Sequence, residues 1–118
     1  SYRQSIGFEL LVFDSLGAFF TLTKMENPRD EIFRLFEACR RLELTSFFIC
    51  EMTGEDHKQF GEDGVEDYLS DGVMHLTMDR EGDDITRKIG VIKMRHTHHK
   101  LGYSPILWNS ADQRFSIE

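Results

Sequence analysis

No apolar run in this sequence comes near the roughly 20 residues that a helical membrane span requires, and no pattern of a secretory leader is visible. The expectation is a protein with no membrane partner. Cysteine is scarce: Cys39 and Cys50 form no C-x-x-C pair, so their spacing points to no metal site, and a reducing cytoplasm is the default setting. Positive charge is in deficit, with 14 Lys and Arg against 21 Asp and Glu and a net charge of −7. Duplex-DNA binders usually present a basic face, so the balance argues against a nucleic-acid partner, though not against a local cationic pocket. Repeats, low-complexity tracts and linkers are also missing, and no domain boundary is expected within the 118 residues. With 40% hydrophobic and 30% charged residues the chain reads as globular rather than disordered. It opens on Ser1 instead of a start methionine, and so reads as trimmed or cut from a longer protein.

The rest of the chain is organised around Phe8–Ser15, F-E-L-L-V-F-D-S. Its large apolar residues run together without polar alternation, the pattern of a strand buried on both faces of a parallel sheet. The run stops at Asp14-Ser15. An acid at the carboxyl end of such a strand lies where open α/β sheets place their ligands. One Asp there can hold a magnesium ion or its water shell, and that ion can bridge nucleotide phosphates. The plain alternative is an Asp that merely starts a turn.

Leu16–Glu26 has mixed character and reads as a short helix or a loop. Asn27-Pro28 reads as a helix start, with a capping residue and a proline at the first helical position. Asp30 and Glu31 sit in the first turn, where the helix dipole favours acids. Ile32, Leu35, Phe36, Cys39 and Leu42 make one apolar stripe, and Arg40 and Arg41 suit the last turn, so a helix is predicted over Pro28–Leu42. Thr45–Cys50 is a second β-rich run, and Glu51 follows it. A strand–helix–strand unit implies a right-handed crossover and a parallel pair, which brings Asp14 and Glu51 to one edge of the sheet. Two solvated strand ends are the bland alternative. Thr53–Gly64, with His57 and Lys58, reads as an acidic surface loop, and Val65–Leu69 as a helical turn. From Asp71 the pattern becomes antiparallel: Val73–Met78 and Ile85–Arg95 flank a turn at Glu81–Asp84, and Pro105–Asn109 with Arg114–Ile117 form a final hairpin.

The second chemical stretch is Val91–Lys100, V-I-K-M-R-H-T-H-H-K. Alternation along a strand puts Lys93 and Arg95 on one face, and an extended chain would carry Thr97 and His99 on the same face. Ile92 and Met94 would point the other way, towards a core. An ammonium, a guanidinium fork, a hydroxyl and an imidazole in one row suit a polyphosphate. A zinc site from His96, His98 and His99 is a rival reading, but neighbouring histidines on a strand diverge and no Cys or carboxylate stands at metal spacing. A solvated edge with locally paired charges is the other.

These residues resemble the C-terminal half of a KaiC-like ATPase of the RecA superfamily of P-loop NTPases. The resemblance covers nearly the whole chain. It rests on L-L-V-F-D-S at Leu10–Ser15, the strand ending in Glu51, G-V-E-D-Y-L-S-D-G-V at Gly64–Val73 and K-M-R-H-T-H-H at Lys93–His99. The fold it implies is α/β: the C-terminal part of a RecA-like core, a parallel βαβ followed by antiparallel hairpins, as a single partial domain. Asp14 matches the acid that ends the Walker B strand and serves magnesium, with Ser15 completing the usual D-S pair. Glu51 stands where the family places a polar sensor near the phosphates. Lys93 and Arg95 match residues that reach the ATP of a neighbouring subunit, and Met94, Thr97 and His99 match the rest of that nucleotide-contacting stretch. Asp14, Glu51 and Arg95 are the residues expected to act in catalysis. ATP and magnesium are the implied ligands, and homo-oligomeric rings, usually hexamers, the implied assembly. Signalling proteins are further candidate partners.

Departures from the family pattern matter. The family's Gly after K-M-R is His96 here, at a place where Gly permits backbone conformations that His resists. The G-x-x-x-x-G-K-[ST] phosphate loop and the family's glutamate pair do not occur in these residues. The chain alone is therefore not expected to hydrolyse ATP. In the family's sheet the phosphate-loop strand lies between the Glu51 strand and the Val73–Met78 strand. Without it both flanking strands would carry bare edges, which invites a dimer or a strand-swapped assembly. A recombinase binding single-stranded DNA is the alternative within the superfamily, set against the acidic Thr53–Gly64 loop. A non-catalytic signalling domain on the same fold is the alternative outside enzymes.

Overall fold

The computed structural model describes residues 7–23, 26–52 and 66–118. The loop expected over Thr53–Gly64, with Gly64 and Val65 of the acidic motif, lies outside the described residues. The chain divides into two compact units, Ser1–Ser70 and Asp71–Glu118.

In the first unit, strand β1 (Leu10–Asp14) pairs in parallel with β2 (Thr45–Ile49), in a register that sets Leu10 beside Thr45 and Asp14 beside Ile49. Helix α1 (Leu16–Thr23) follows β1 directly: Ser15 Oγ accepts the Ala18 N–H at 3.3 Å, an N-cap that resolves the helix-or-loop ambiguity of this stretch. Helix α2 (Pro28–Arg41) provides the crossover between the strands, with Pro28 in its first turn and Ile32, Phe36 and Cys39 buried along its apolar stripe. Asn27 does not cap it through its side chain; its Nδ2 donates instead to Asp30 Oδ2 at 2.8 Å. The core between helices and sheet is aromatic. Phe36 stacks on Phe48 with centroids 4.6 Å apart, Phe13 lies 6.0 Å from Phe48, and Phe19 meets Phe13 edge-on at 5.1 Å. Each such pair adds about 0.5–1.5 kcal/mol beyond area burial.

The helices cover one face of the sheet only. Leu10, Val12, Phe47 and Ile49 share the other face, and Val12 is 58% exposed. The strand expected to be buried on both sides is thus shorter than Phe8–Ser15 and alternates in burial. Its unbroken apolar sequence reflects a second face that no described element of this unit covers.

The second unit is a four-stranded antiparallel sheet ordered β3-β4-β5-β6, preceded in the chain by the short helix α3 (Glu66–Leu69). Strands β3 (Gly72–Glu81) and β4 (Asp84–Met94) form a long hairpin closed by Gly82 and Asp83. Gly82 has φ 63 at the first central position, where mirror-image hairpin turns need a positive φ. β5 (Tyr103–Asn109) and β6 (Arg114–Ile117) form the second hairpin. Gly90 has no room for a side chain: a Cβ there would come within 2.9 Å of the Tyr103 ring. That ring crosses β4, and its hydroxyl meets His75 Nδ1 on β3 at 2.7 Å.

Helix α2 ends in a Schellman motif. The Leu44 N–H donates to the Cys39 carbonyl and the Glu43 N–H to that of Arg40, with Glu43 at φ 53. Glycine adopts this left-handed conformation without the Cβ conflict that any other residue meets. Glu43→Gly is therefore expected to raise stability by about 0.5–1 kcal/mol, read as a higher urea midpoint; an unchanged or lower midpoint contradicts it.

Candidate functional site

Two clusters of polar chemistry stand at strand ends, one in each unit. In the first, parallel pairing carries β1 and β2 in the same direction, so Asp14 and the residues after Ile49 emerge at one edge. Asp14 closes β1 and is exposed; Glu51, two residues past its register neighbour Ile49, is exposed as well. Ser15 is half-buried, and its hydroxyl oxygen is engaged as the cap of α1. The Asp14–Ser15 peptide is cis. Among the described residues no group of three or more His, Cys, Asp or Glu could cage a metal ion. Magnesium usually keeps several waters and takes one or two carboxylates plus phosphate oxygens. Asp14 fits as such a carboxylate. The zinc reading of the histidines gains no such cluster among these residues.

In the second unit the cationic stretch ends β4, and a β-bulge decides its geometry. From the turn outward the ladder pairs Glu81 with Asp84 and continues to Met74 with Val91. Between Val73 and Met74 the register shifts, so that Val73 faces Lys93 and Gly72 faces Met94. The ladder continues one step further, with the Arg95 N–H donating to the Asp71 carbonyl at 2.8 Å. Paired residues share a face of the pleat, which puts Lys93 and Arg95 with Val73 and Asp71 on one side, and Met94 with Gly72 on the other. Met94 is half-buried, and its Sδ lies where a Cβ on residue 72 would come within 2.9 Å, so the glycine makes room for it. Ile92, at the bulge, is partly exposed rather than turned into a core.

The extended row does not continue. β4 stops at Met94, Arg95 and His96 form a turn, and His96 takes φ 59. Thr97 and His99 therefore do not prolong the Lys93–Arg95 face as strand residues. Thr97 is exposed, and His99 is half-buried with its Nδ1 3.2 Å from the Lys100 carbonyl. His96 keeps a left-handed backbone that glycine would adopt freely. Histidine is among the residues enriched there, which explains how the turn survives this residue. Asp71 is the neighbour that sequence reasoning missed: Arg95 Nη1 meets its Oδ1 at 3.4 Å.

Comparison with known proteins adds to this geometry. A family model described as ATPase: KaiC matches residues 1–109. The circadian clock protein KaiC3 of Synechocystis is 32% identical over 93 residues, covering 78% of this chain and 18% of that protein. A UPF0273 protein of Pyrobaculum aerophilum is 34% identical over 108 residues, 88% of this chain and 37% of its own length. Among solved structures, a KaiC-like protein from Pyrococcus horikoshii superposes with a TM-score of 0.78 at 19% identity, over 98% of this chain and 49% of that one. The α/β fold read from the sequence, parallel βαβ followed by antiparallel hairpins, is thus that of a RecA-like core. The chain spans less than two fifths of these curated relatives and about half of the solved neighbour.

If the turn needs the backbone of residue 96 and not its ring, His96→Gly should fold at least as stably as the parent. His96→Val, whose β-branch resists a positive φ, should lose about 1–2 kcal/mol. Denaturant unfolding of both variants reads this, and a Gly variant less stable than the Val variant contradicts it.

Proposed function

The chain belongs to the KaiC ATPase family, and from that footing we propose that it supplies both edges of a nucleotide site shared between subunits of a ring ATPase. One edge is acidic. Asp14 would hold magnesium, directly or through its waters, with Ser15 beside it and Glu51 near the phosphates as a polar sensor. When bound, magnesium bridges phosphate oxygens and neutralises developing charge. The other edge is cationic. Lys93 would act as a point charge and Arg95 as a planar fork on the phosphates of the adjoining subunit's ATP, in the manner of an arginine finger. Thr97 and His99, beyond the strand end, and Met94 through its main chain would complete that contact.

The observation that supports this reading most is the register of β4. The bulge and the terminal ladder bond put Lys93 and Arg95 on one side of the strand end, a geometry that two cations serving one polyphosphate require. Bare faces support assembly. Leu10, Val12, Phe47 and Ile49 are exposed on one sheet, and Met74, Leu76 and Met78 line one side of β3, with Leu76 65% exposed. Such surfaces and the open strand edges suit packing against further protein, whether the rest of a longer chain or, for this piece alone, a strand-swapped second copy. A hexameric ring is the assembly we assign to the full-length protein. With two cysteines that share no motif, a reducing cytoplasm is the setting we assign. Among the described residues no helix is long and apolar enough to cross a membrane.

Arginine fingers are worth about 10³–10⁵ in kcat. In the full-length protein, Arg95→Ala is expected to lower ATP turnover by about 10³-fold while ATP affinity of the isolated subunit stays unchanged. Unchanged turnover contradicts the assignment.

A further inference from the structure

We propose that Asp71 is the positioning residue for Arg95, an inference that rests on the shared-site reading above. The same residue holds Arg95 twice, once through the main chain, where the Asp71 carbonyl accepts the Arg95 N–H at 2.8 Å, and once through its carboxylate, 3.4 Å from Arg95 Nη1. The ion pair is exposed, with 43% of the Arg95 side chain and 76% of that of Asp71 open to solvent. An exposed pair of this length adds little to folding. Its effect is orientation: it limits the directions in which a long, rotamer-rich side chain points at the end of a strand.

The surrounding sequence serves the same end. Gly72, next to Asp71, leaves space for the side chain of Met94, next to Arg95, its ladder partner. The bulge then decides which residue meets Asp71. An unbroken ladder counted from the turn would set Met94 opposite it, and the extra residue hands that position to Arg95. His96, immediately after, turns the chain away at φ 59, so Arg95 is the last residue the hairpin orders.

The test is a double-mutant cycle on ATP turnover by the full-length protein. Asp71→Ala is expected to lower kcat by about ten- to a hundred-fold, the size of a misplaced catalytic group, with KM for ATP and thermal midpoint unchanged. Asp71→Asn keeps the shape and an acceptor oxygen, and is expected to retain more activity than Asp71→Ala. In an Arg95→Ala background, Asp71→Ala should cost nothing further, because a residue that acts through Arg95 has nothing left to position. Effects that multiply, an unchanged kcat in Asp71→Ala, or a loss of kcat explained by a lower thermal midpoint or weaker ATP binding, would each overturn the proposal. Failure of Arg95→Ala alone to reduce turnover overturns the shared-site reading instead, so the two failures are separable.

Discussion

The parallel pairing of β1 with β2 is the constraint on which the acidic half of the proposed site depends. Two strands joined by a helix and running the same way must end at the same edge, and this places Asp14 beside Ile49, just before Glu51. The pairing is held from one side by aromatic packing of Phe36 and Phe19 against Phe48 and Phe13. The other side carries Leu10, Val12, Phe47 and Ile49, which no described element of this unit covers. A site at the end of a half-covered sheet is compatible with a chain that matches only part of each relative's length.

The cationic half of the proposed site depends on a different device. A hairpin is normally a rigid counter: each residue faces the one that the turn dictates, and one inserted residue reverses which face every later side chain takes. Here the insertion comes just before Lys93, and it sets the side on which both cations stand. The turn at Arg95 and His96 then ends the strand. Cost falls on the backbone, since His96 holds a conformation that suits glycine better.

Much of this was legible in the residues. The helix over Pro28–Leu42 announces itself by its stripe and its terminal charges, and the structure ends it one residue earlier, at Arg41. The hairpin positions follow from alternation and turn residues. The burial of β1 was misread because an apolar run records every surface a strand meets in its complete setting, including surfaces not formed in this unit. The straight row through Thr97 and His99 fails because alternation predicts direction only while the chain stays extended, and the hint of a left-handed residue 96 lay in the family's glycine at that place rather than in the neighbouring residues. The Asp71–Arg95 contact was out of reach because it depends on the bulge, and Ile92 looks like any other strand residue.

Mixed rings test the central claim most directly. Full-length subunits bearing Asp14→Asn and subunits bearing Arg95→Ala are each expected to be inactive alone. If one subunit supplies the acid and its neighbour the guanidinium, random mixing in equal amounts restores about a quarter of the interfaces, and of wild-type turnover, across heterologous contacts. Mixed rings no more active than either parent would contradict a site shared between subunits.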